Sequence, residues 1–232
     1  MSGLVTLLGA GPGDAELLTL KGKRRLQEAD VLVFDRLVNQ ELFQHLKSDC
    51  EKIDVGKKPG QPCIRQEEIE KILIEKARQG KRVVRLKSGD PYIFGRGGEE
   101  GVKLVEAGVD FEVVPGITSA VAGLTYAGIP MTYRDVATSF HVFTAHLKDE
   151  TEMLNWEAIS KLKGTLVFLM GMKNLPSIVQ ELTARGYGKD KPAAIVEWGT
   201  HPQQRSVDGT LGNIVELAEA EDFKAPSVIV VG

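Results

Sequence analysis

Cysteine is nearly absent: Cys50 and Cys63 are the only two in 232 residues, and they form no CxxC pair. That argues against a disulfide framework or a cysteine-built metal site, and two reduced thiols in a cytoplasmic protein are expected. Histidine is also scarce. His45, His141 and His201 show no metal-ligand spacing, so no metal is expected. No apolar run approaches the about 20 residues that a membrane-spanning helix requires. The start, Met1-Ser2-Gly3-Leu4, leads straight into a strand pattern and not into a signal peptide. A net charge of −3 supplies no field that would recruit nucleic acid. Internal repeats and low-complexity stretches are missing too. Nucleic acid and membrane are therefore excluded as expected partners.

What is present is an ordinary soluble composition, 42% hydrophobic and 26% charged, long enough for a substantial core. Strand patterns at Leu4–Leu8, Val31–Phe34, Lys52–Val55, Arg82–Leu86 and Phe111–Val114 alternate with helix patterns. The helices are read at Glu16–Glu28, Gln40–Leu46, Gln66–Gln79 and Gly98–Ala107, with Gly80 and Gly108 at helix-ending positions. This β-α-β alternation predicts a mostly parallel sheet covered by helices. After about residue 116 the character changes. Strands at Ser139–Thr144, Thr165–Met170, Ala193–Val196, Arg205–Gly209 and Ser227–Val231 include close-spaced members suited to antiparallel pairing. Helices Trp156–Ser160, Leu175–Ala184 and Leu211–Ala220 lie between them, and Asn174 reads as an N-cap. The expectation is two α/β domains, 1–116 with a mostly parallel sheet and 117–232 with a mixed sheet, and an active cleft between them.

Two loops carry the functional signal. Strand Arg82–Leu86 runs into Lys87-Ser88-Gly89-Asp90-Pro91-Tyr92-Ile93-Phe94-Gly95-Arg96-Gly97-Gly98-Glu99-Glu100, and strand Val5–Leu8 into Gly9-Ala10-Gly11-Pro12-Gly13-Asp14. Ligands in open α/β sheets sit outside the carboxyl ends of strands, and glycine lets backbone approach them. Together the loops predict one site for one sizeable small molecule. A dinucleotide reading is tempting, because Asp35 ends the second strand where a ribose-binding acid would stand. It fails on chemistry. The third glycine of GxGxxG would fall at Asp14, an anion where pyrophosphate needs a helix N-terminus, and Pro12 removes an N–H donor. A loop that presents carboxylate and carbonyls suits a cationic ligand, and S-adenosylmethionine carries a sulfonium and an ammonium. Asp90 has no helix or strand to stabilise in the sequence pattern, so it is read as facing the ligand.

Seven blocks between residues 9 and 130 resemble the tetrapyrrole methylase family. They are Gly9-Ala10-Gly11-Pro12-Gly13-Asp14, Val33-Phe34-Asp35-Arg36-Leu37, Val55-Gly56-Lys57-Lys58, Gln66-Glu67-Glu68-Ile69, the loop from Arg85 to Glu100, Val114-Pro115-Gly116-Ile117-Thr118-Ser119, and Gly128-Ile129-Pro130. Thr144-Ala145-His146, Leu169-Met170-Gly171-Met172, Val196-Glu197-Trp198-Gly199-Thr200 and Pro226–Gly232 continue the match to the chain's end. The resemblance implies two α/β domains and S-adenosylmethionine as methyl donor, with no metal. It also implies methylation of uroporphyrinogen III at C2 and then C7 to precorrin-2, the precursor of sirohaem and cobalamin. Cofactor contacts carried over from the family fall on Pro12, Ser88, Gly89, Asp90, Ile93, Thr118, Ser119, Met170 and Gly199. Proton-transfer candidates fall on Asp35 and Lys57. A homodimer is implied as well.

Arg96 and Arg134 offer guanidinium forks for a substrate with many carboxylates, or else serve as structural ion-pair partners. His146 is a further substrate-contact candidate. Asp35 is either catalytic or a cap for the turn that follows it. The chain departs from the family pattern at Ser88, Ala145 and Tyr133, where glycine, glycine and histidine are usual. Three alternatives stay open: a sister methylase of a later precorrin, an RNA ribose methyltransferase of the same fold, and a tetrapyrrole-binding protein without catalysis. The absence of a basic patch speaks against the second.

Overall fold

The structure is a computed structural model that describes residues 3–56, 64–145 and 154–232. Lys57, Cys63 and His146 lie outside the described residues. The chain forms two compact units, Met1–Thr118 and Ser119–Gly232.

The first unit holds five strands, β1 (Leu4–Gly9), β2 (Val31–Phe34), β3 (Glu51–Asp54), β4 (Arg82–Lys87) and β5 (Phe111–Val114). All pair in parallel, in the order β3-β2-β4-β1-β5. Strands β2 and β1 are largely apolar runs without alternation, as strands buried on both faces tend to be, whereas central β4 buries Arg85 and Lys87 as well. Helix α1 (Leu20–Glu28) and a 3-10 helix (Gln40–His45) lie on connections that run one way along the sheet. They cover one face through Leu26 and Leu42 against Leu8, Leu32, Phe34, Val84 and Leu86. The return connections carry α2 (Gln66–Arg78) and α3 (Gly97–Glu106). Ile69, Leu73 and Leu104 from these helices pack on Val5, Leu7, Val31, Val33 and Val83 of the opposite face. This segregation is what right-handed crossovers produce. Gly80 and Gly108 close α2 and α3 with φ of +77° and +66°.

The continuous helix read at 16–28 is in fact broken. A 3-10 turn, Ala15–Leu17, ends in extended Leu18, and α1 begins afresh after Thr19, whose Oγ1 accepts from Gly22 N at 3.0 Å. Neither glycine nor proline marks the break; the cap alone does. The helix read from 40 is likewise a 3-10 helix.

The second unit is built on β6 (Phe140–Thr144), β7 (Thr165–Leu169), β8 (Pro192–Glu197), β9 (Arg205–Thr210) and β10 (Ser227–Val231), ordered β6-β7-β10-β8-β9. Only β6 and β7 are parallel neighbours, and the other pairs are antiparallel. Helix α4 (Ser119–Tyr126) covers one face, with Ala120 and Leu124 against Val167, Val196, Val228 and Val230. Helices α5 (Trp156–Ile159), α6 (Leu175–Ala184) and α7 (Ile214–Ala220) cover the other, around Phe168, Ile195, Ile229 and Val231. Helix α7 starts three residues later than read, because Leu211 and Gly212 belong to the turn that bonds back to Lys191 and Lys189. Asn174 occupies the N-cap position of α6, but its side chain does not cap. Nδ2 donates instead to Ala145 O at 2.6 Å, tying the end of β6 to the start of α6.

Candidate active site

Parallel pairing puts the carboxyl ends of all five strands of the first unit on one edge. Both glycine loops, Asp35 and residues 115–118 emerge there. The loops are joined directly. Gly89 N donates to Gly11 O at 2.7 Å, Gly11 N to Gly89 O at 3.2 Å, and Ala10 N to Lys87 O at 2.8 Å. A third segment crosses them so closely that no side chain fits. A Cβ on Gly9 would stand 2.6 Å from Gly116 Cα, and one on Gly116 would run into Gly89 O and lie 2.8 Å from Gly9 Cα.

Asp90 fastens this crossing. Its Oδ1 accepts from Tyr92 N at 2.8 Å and its Oδ2 from Gly116 N at 3.0 Å. Asp90 thus stabilises no helix or strand, but it does link the β4 loop to the segment after β5. Each carboxylate oxygen keeps a further acceptor position, so Asp90 can still receive an ammonium group. Ser88, Gly89 and Asp90 are half-buried, Ile93 is exposed and Pro12 is buried. Partly accessible backbone, a carboxylate with spare acceptors and an exposed apolar side chain suit the polar and apolar ends of S-adenosylmethionine. Asp14 is a cap, accepting from Glu16 N at 2.8 Å, while Asn39 Nδ2 donates to Gly13 O at 2.8 Å.

Asp35 follows Phe34 at the end of β2. Its Oδ1 accepts from Arg85 Nη2 at 2.7 Å, so among the described residues its side-chain partner is a buried guanidinium and not a turn amide. Arg96 begins α3 in the left-handed region, φ +59°, and its guanidinium grips Glu99 through both oxygens at 3.0 and 2.6 Å. That bond raises its pKa, and the pair is exposed. Arg134 lies in an exposed turn closed by Tyr133 and Ala137, and it makes no ion pair among the described residues.

In the second unit, β6, β7 and β8 all point their carboxyl ends to one edge, since β7 and β8 are each antiparallel to β10. Met170 and Gly199 emerge there. Met170 is 50% exposed with φ +56°, while Trp198 and Thr200 flank Gly199 with φ +50° and +71°. Left-handed backbone at three non-glycine residues on one edge is strain of the kind found at functional sites. Gly199 meets α4 at close range, since a Cβ there would lie 2.8 Å from Gly123 Cα. Ser119 opens α4, and Thr118 is the last residue of the first unit. Ala145 is buried, its N–H donating to Leu169 O at 2.9 Å.

The reading of the sequence missed Arg85, Lys87, Glu100 and Gln66, which meet beneath Asp35. Charges at 85 and 87 within a doubly buried strand were the available signal. Cys50 is buried and free, and burial pushes its thiol pKa up. Among the described residues no group of acidic, cysteine or histidine side chains could hold a metal ion, and no helix is long and apolar enough to cross a membrane.

Residues 4–215 match the family model of tetrapyrrole (corrin/porphyrin) methylases. A uroporphyrinogen-III C-methyltransferase of Priestia megaterium is 47% identical over 99% of this chain and 97% of its own length. One from Methanocaldococcus jannaschii is 51% identical over 100% of this chain and 96% of its own. Among solved structures, uroporphyrin-III C-methyltransferase from Thermus thermophilus complexed with S-adenosyl homocysteine superposes with a TM-score of 0.84 at 37% identity, covering 99% of this chain and 92% of that one. With the family model matching residues 4–215 and relatives about half identical over nearly the whole chain, the chain belongs to the tetrapyrrole methylases.

Proposed function

We propose that the chain is an S-adenosylmethionine-dependent uroporphyrinogen-III C-methyltransferase, methylating C2 and then C7 to give precorrin-2. The observation that carries this is near-complete alignment, at 47% and 51% identity, with two proteins bearing that name. The product is a precursor of sirohaem and cobalamin.

S-adenosylmethionine, when bound, supplies a methyl group on a sulfonium, which leaves its bonding electrons on sulfur. The residues proposed to hold it are Pro12, Ser88, Gly89, Asp90, Ile93 and Thr118 in the first unit, with Ser119, Met170 and Gly199 in the second. The sulfonium is already activated, so the protein's chief work is alignment and exclusion of water. A ring carbon that gains the methyl brings one positive charge onto the macrocycle, and loss of a ring proton clears it. Asp35 receives that proton. Its Oδ1 is taken by Arg85, and Oδ2 has no hydrogen-bond partner among the described residues. Lys57 donates a proton or anchors a substrate carboxylate. Arg96, Arg134 and His146 engage the remaining substrate carboxylates, and the exposure of Arg134 in its turn is compatible with that role. No metal takes part.

The chain acts as a homodimer in the cytoplasm. The free Cys50 thiol suits a reducing compartment. A mostly apolar groove of about 300 Å³, lined by Tyr92, Gly98, Gly101, Val102, Val105, Glu106 and Phe111, with Tyr92, Val102 and Val105 exposed, supports a subunit contact. The deciding experiment is anaerobic incubation of uroporphyrinogen III with S-adenosylmethionine and the purified chain, followed by mass analysis. A gain of two methyl groups is expected. Unchanged substrate mass, with S-adenosylhomocysteine still bound, would leave a binding protein instead.

A further inference from the structure

The first unit contains an ionic cluster that none of the proposed ligand contacts explains. Arg85 and Lys87 stand two residues apart on β4, on the same face, and both are buried. Opposite them Glu100 of α3 is 0% exposed. Its Oε1 accepts from Arg85 Nε at 3.1 Å, Lys87 Nζ at 2.9 Å and Gln66 Nε2 at 3.2 Å. Its Oε2 has no partner among the described residues. Removing three charges from water costs several kcal/mol per ion, and packed apolar residues of similar volume are often as stable or more so. The surroundings are apolar, since Val33, Val83 and Leu104 share this face. Stability alone is therefore a poor reason for the cluster.

Its fourth member supplies a better one. Arg85 Nη2 donates to Asp35 Oδ1 at 2.7 Å, and Asp35, with its side chain 34% exposed, is the one carboxylate of the group that reaches solvent. Strand register makes this meeting unavoidable. Val33 pairs with Arg85, so the next residue on the same face of β2 is Asp35, beside Lys87. The guanidinium is planar and its donors are fixed in direction. Nε anchored on Glu100 sets where Nη2 points, and Nη2 sets the rotation of the Asp35 carboxylate. Lys87 completes the charge balance of two cations and two anions. Burial, with the Arg85 charge, lowers its pKa, while Glu100 and Asp35 oppose that shift.

We infer that Arg85 is a positioning residue for Asp35, held on the buried Glu100 so that one carboxylate oxygen is fixed and the other is presented for the proton. The inference rests on the reading of Asp35 as the proton acceptor.

The test is a double-mutant cycle on the full chain with uroporphyrinogen III and S-adenosylmethionine, reading kcat, KM and the affinity for S-adenosylhomocysteine. Arg85→Lys keeps the charge but cannot direct two bonds. It should lower kcat at least about tenfold while KM and S-adenosylhomocysteine affinity stay within about threefold. Asp35→Asn should lower kcat similarly. The double variant should turn over within about twofold of Asp35→Asn alone, because a residue acting only through Asp35 has nothing left to position. Glu100→Gln, which keeps the side-chain shape but removes the anion that holds Arg85 and Lys87, should repeat the pattern and carries the cycle if Arg85→Lys does not fold. Effects that multiply in the double variant, or wild-type kcat in Arg85→Lys, would overturn the inference. Loss of folding in both Arg85→Lys and Glu100→Gln would overturn it too, making the cluster structural. Wild-type turnover by Asp35→Asn would sink the proton-acceptor reading, and the inference with it. A slow Asp35→Asn with a fully active Arg85→Lys would sink the inference alone.

Discussion

Replacing Asp90 by alanine separates an anchoring role from a ligand-binding one. The carboxylate accepts two backbone amides, Tyr92 N at 2.8 Å and Gly116 N at 3.0 Å, and so spans 26 residues of chain. Hydrogen bonds to charged groups contribute about 1.5–3 kcal/mol each. Tyr92 is exposed and its amide can turn to water, whereas Gly116 is half-buried against Gly9 and Gly89. The Gly116 bond therefore dominates, and Asp90→Ala should cost about 2–3 kcal/mol of unfolding free energy, read as a shift in the urea midpoint. Asp90→Asn keeps one acceptor and should recover about half of that. Affinity for S-adenosylhomocysteine, measured by calorimetry well below the unfolding transition, should fall at least about tenfold in both variants, because both remove the anion that would face the ammonium group. An Asp90→Ala protein within about 0.5 kcal/mol of wild type would show that the two amide bonds do not anchor the crossing. Unchanged affinity in a folded Asp90→Asn would show that the carboxylate serves architecture only.

Three other outcomes are expected. The Arg25 guanidinium beside Glu112 pulls its pKa from 4.5 to about 2, with Lys21 and Thr6 assisting and burial opposing. A depressed carboxylate contributes stability that is complete above about pH 4.5 and lost as pH falls through about 2, so Glu112→Gln should flatten the acid limb of the stability curve in that window; an unaltered limb refutes the assignment. Gly199→Ala places a methyl 2.8 Å from Gly123 Cα and forces two backbones apart, which should cost about 1–3 kcal/mol in thermal unfolding, and a melting temperature equal to wild type would refute the close approach. Arg134→Ala, at an exposed position outside any ion pair among the described residues, should raise KM for uroporphyrinogen III with little change in stability; an unchanged KM removes Arg134 from the substrate contacts.

Most strands were legible because they are short runs rich in valine, leucine and isoleucine, bounded by glycine, proline or charge. Val31–Phe34, Phe111–Val114 and Ser227–Val231 were read with their observed limits. Helix starts were harder to place, for a local reason. Nothing in Leu17-Leu18-Thr19-Leu20 interrupts an apolar pattern, yet a single Thr19 hydroxyl bonded to Gly22 N starts a new helix and leaves Leu18 extended. At 211–213 the competing partner is distant: Leu211 and Gly212 bond to Lys191 and Lys189, and no periodicity of the helix can reveal that.

The candidate site divides along the same line. Glycines at 9, 89 and 116 lie far apart in sequence, and motif resemblance collected them without showing that all three are required by one crossing of backbones. Polar residues facing outward were easy to nominate, because an exposed arginine or a strand-end aspartate is conspicuous. Their buried supports were not, since Arg85 and Lys87 look like interruptions of a strand until a counterion is found. The period of a strand does contain the clue. Residues 83, 85 and 87 share one face, and a face that begins with a buried valine cannot end in two cations unless an acid descends on it from a covering helix. Glu100 occupies that position in α3, and the strand register then carries the interaction one step further, to Asp35. A charge pattern that conflicts with burial is thus the mark that the cluster beneath Asp35 leaves in the sequence.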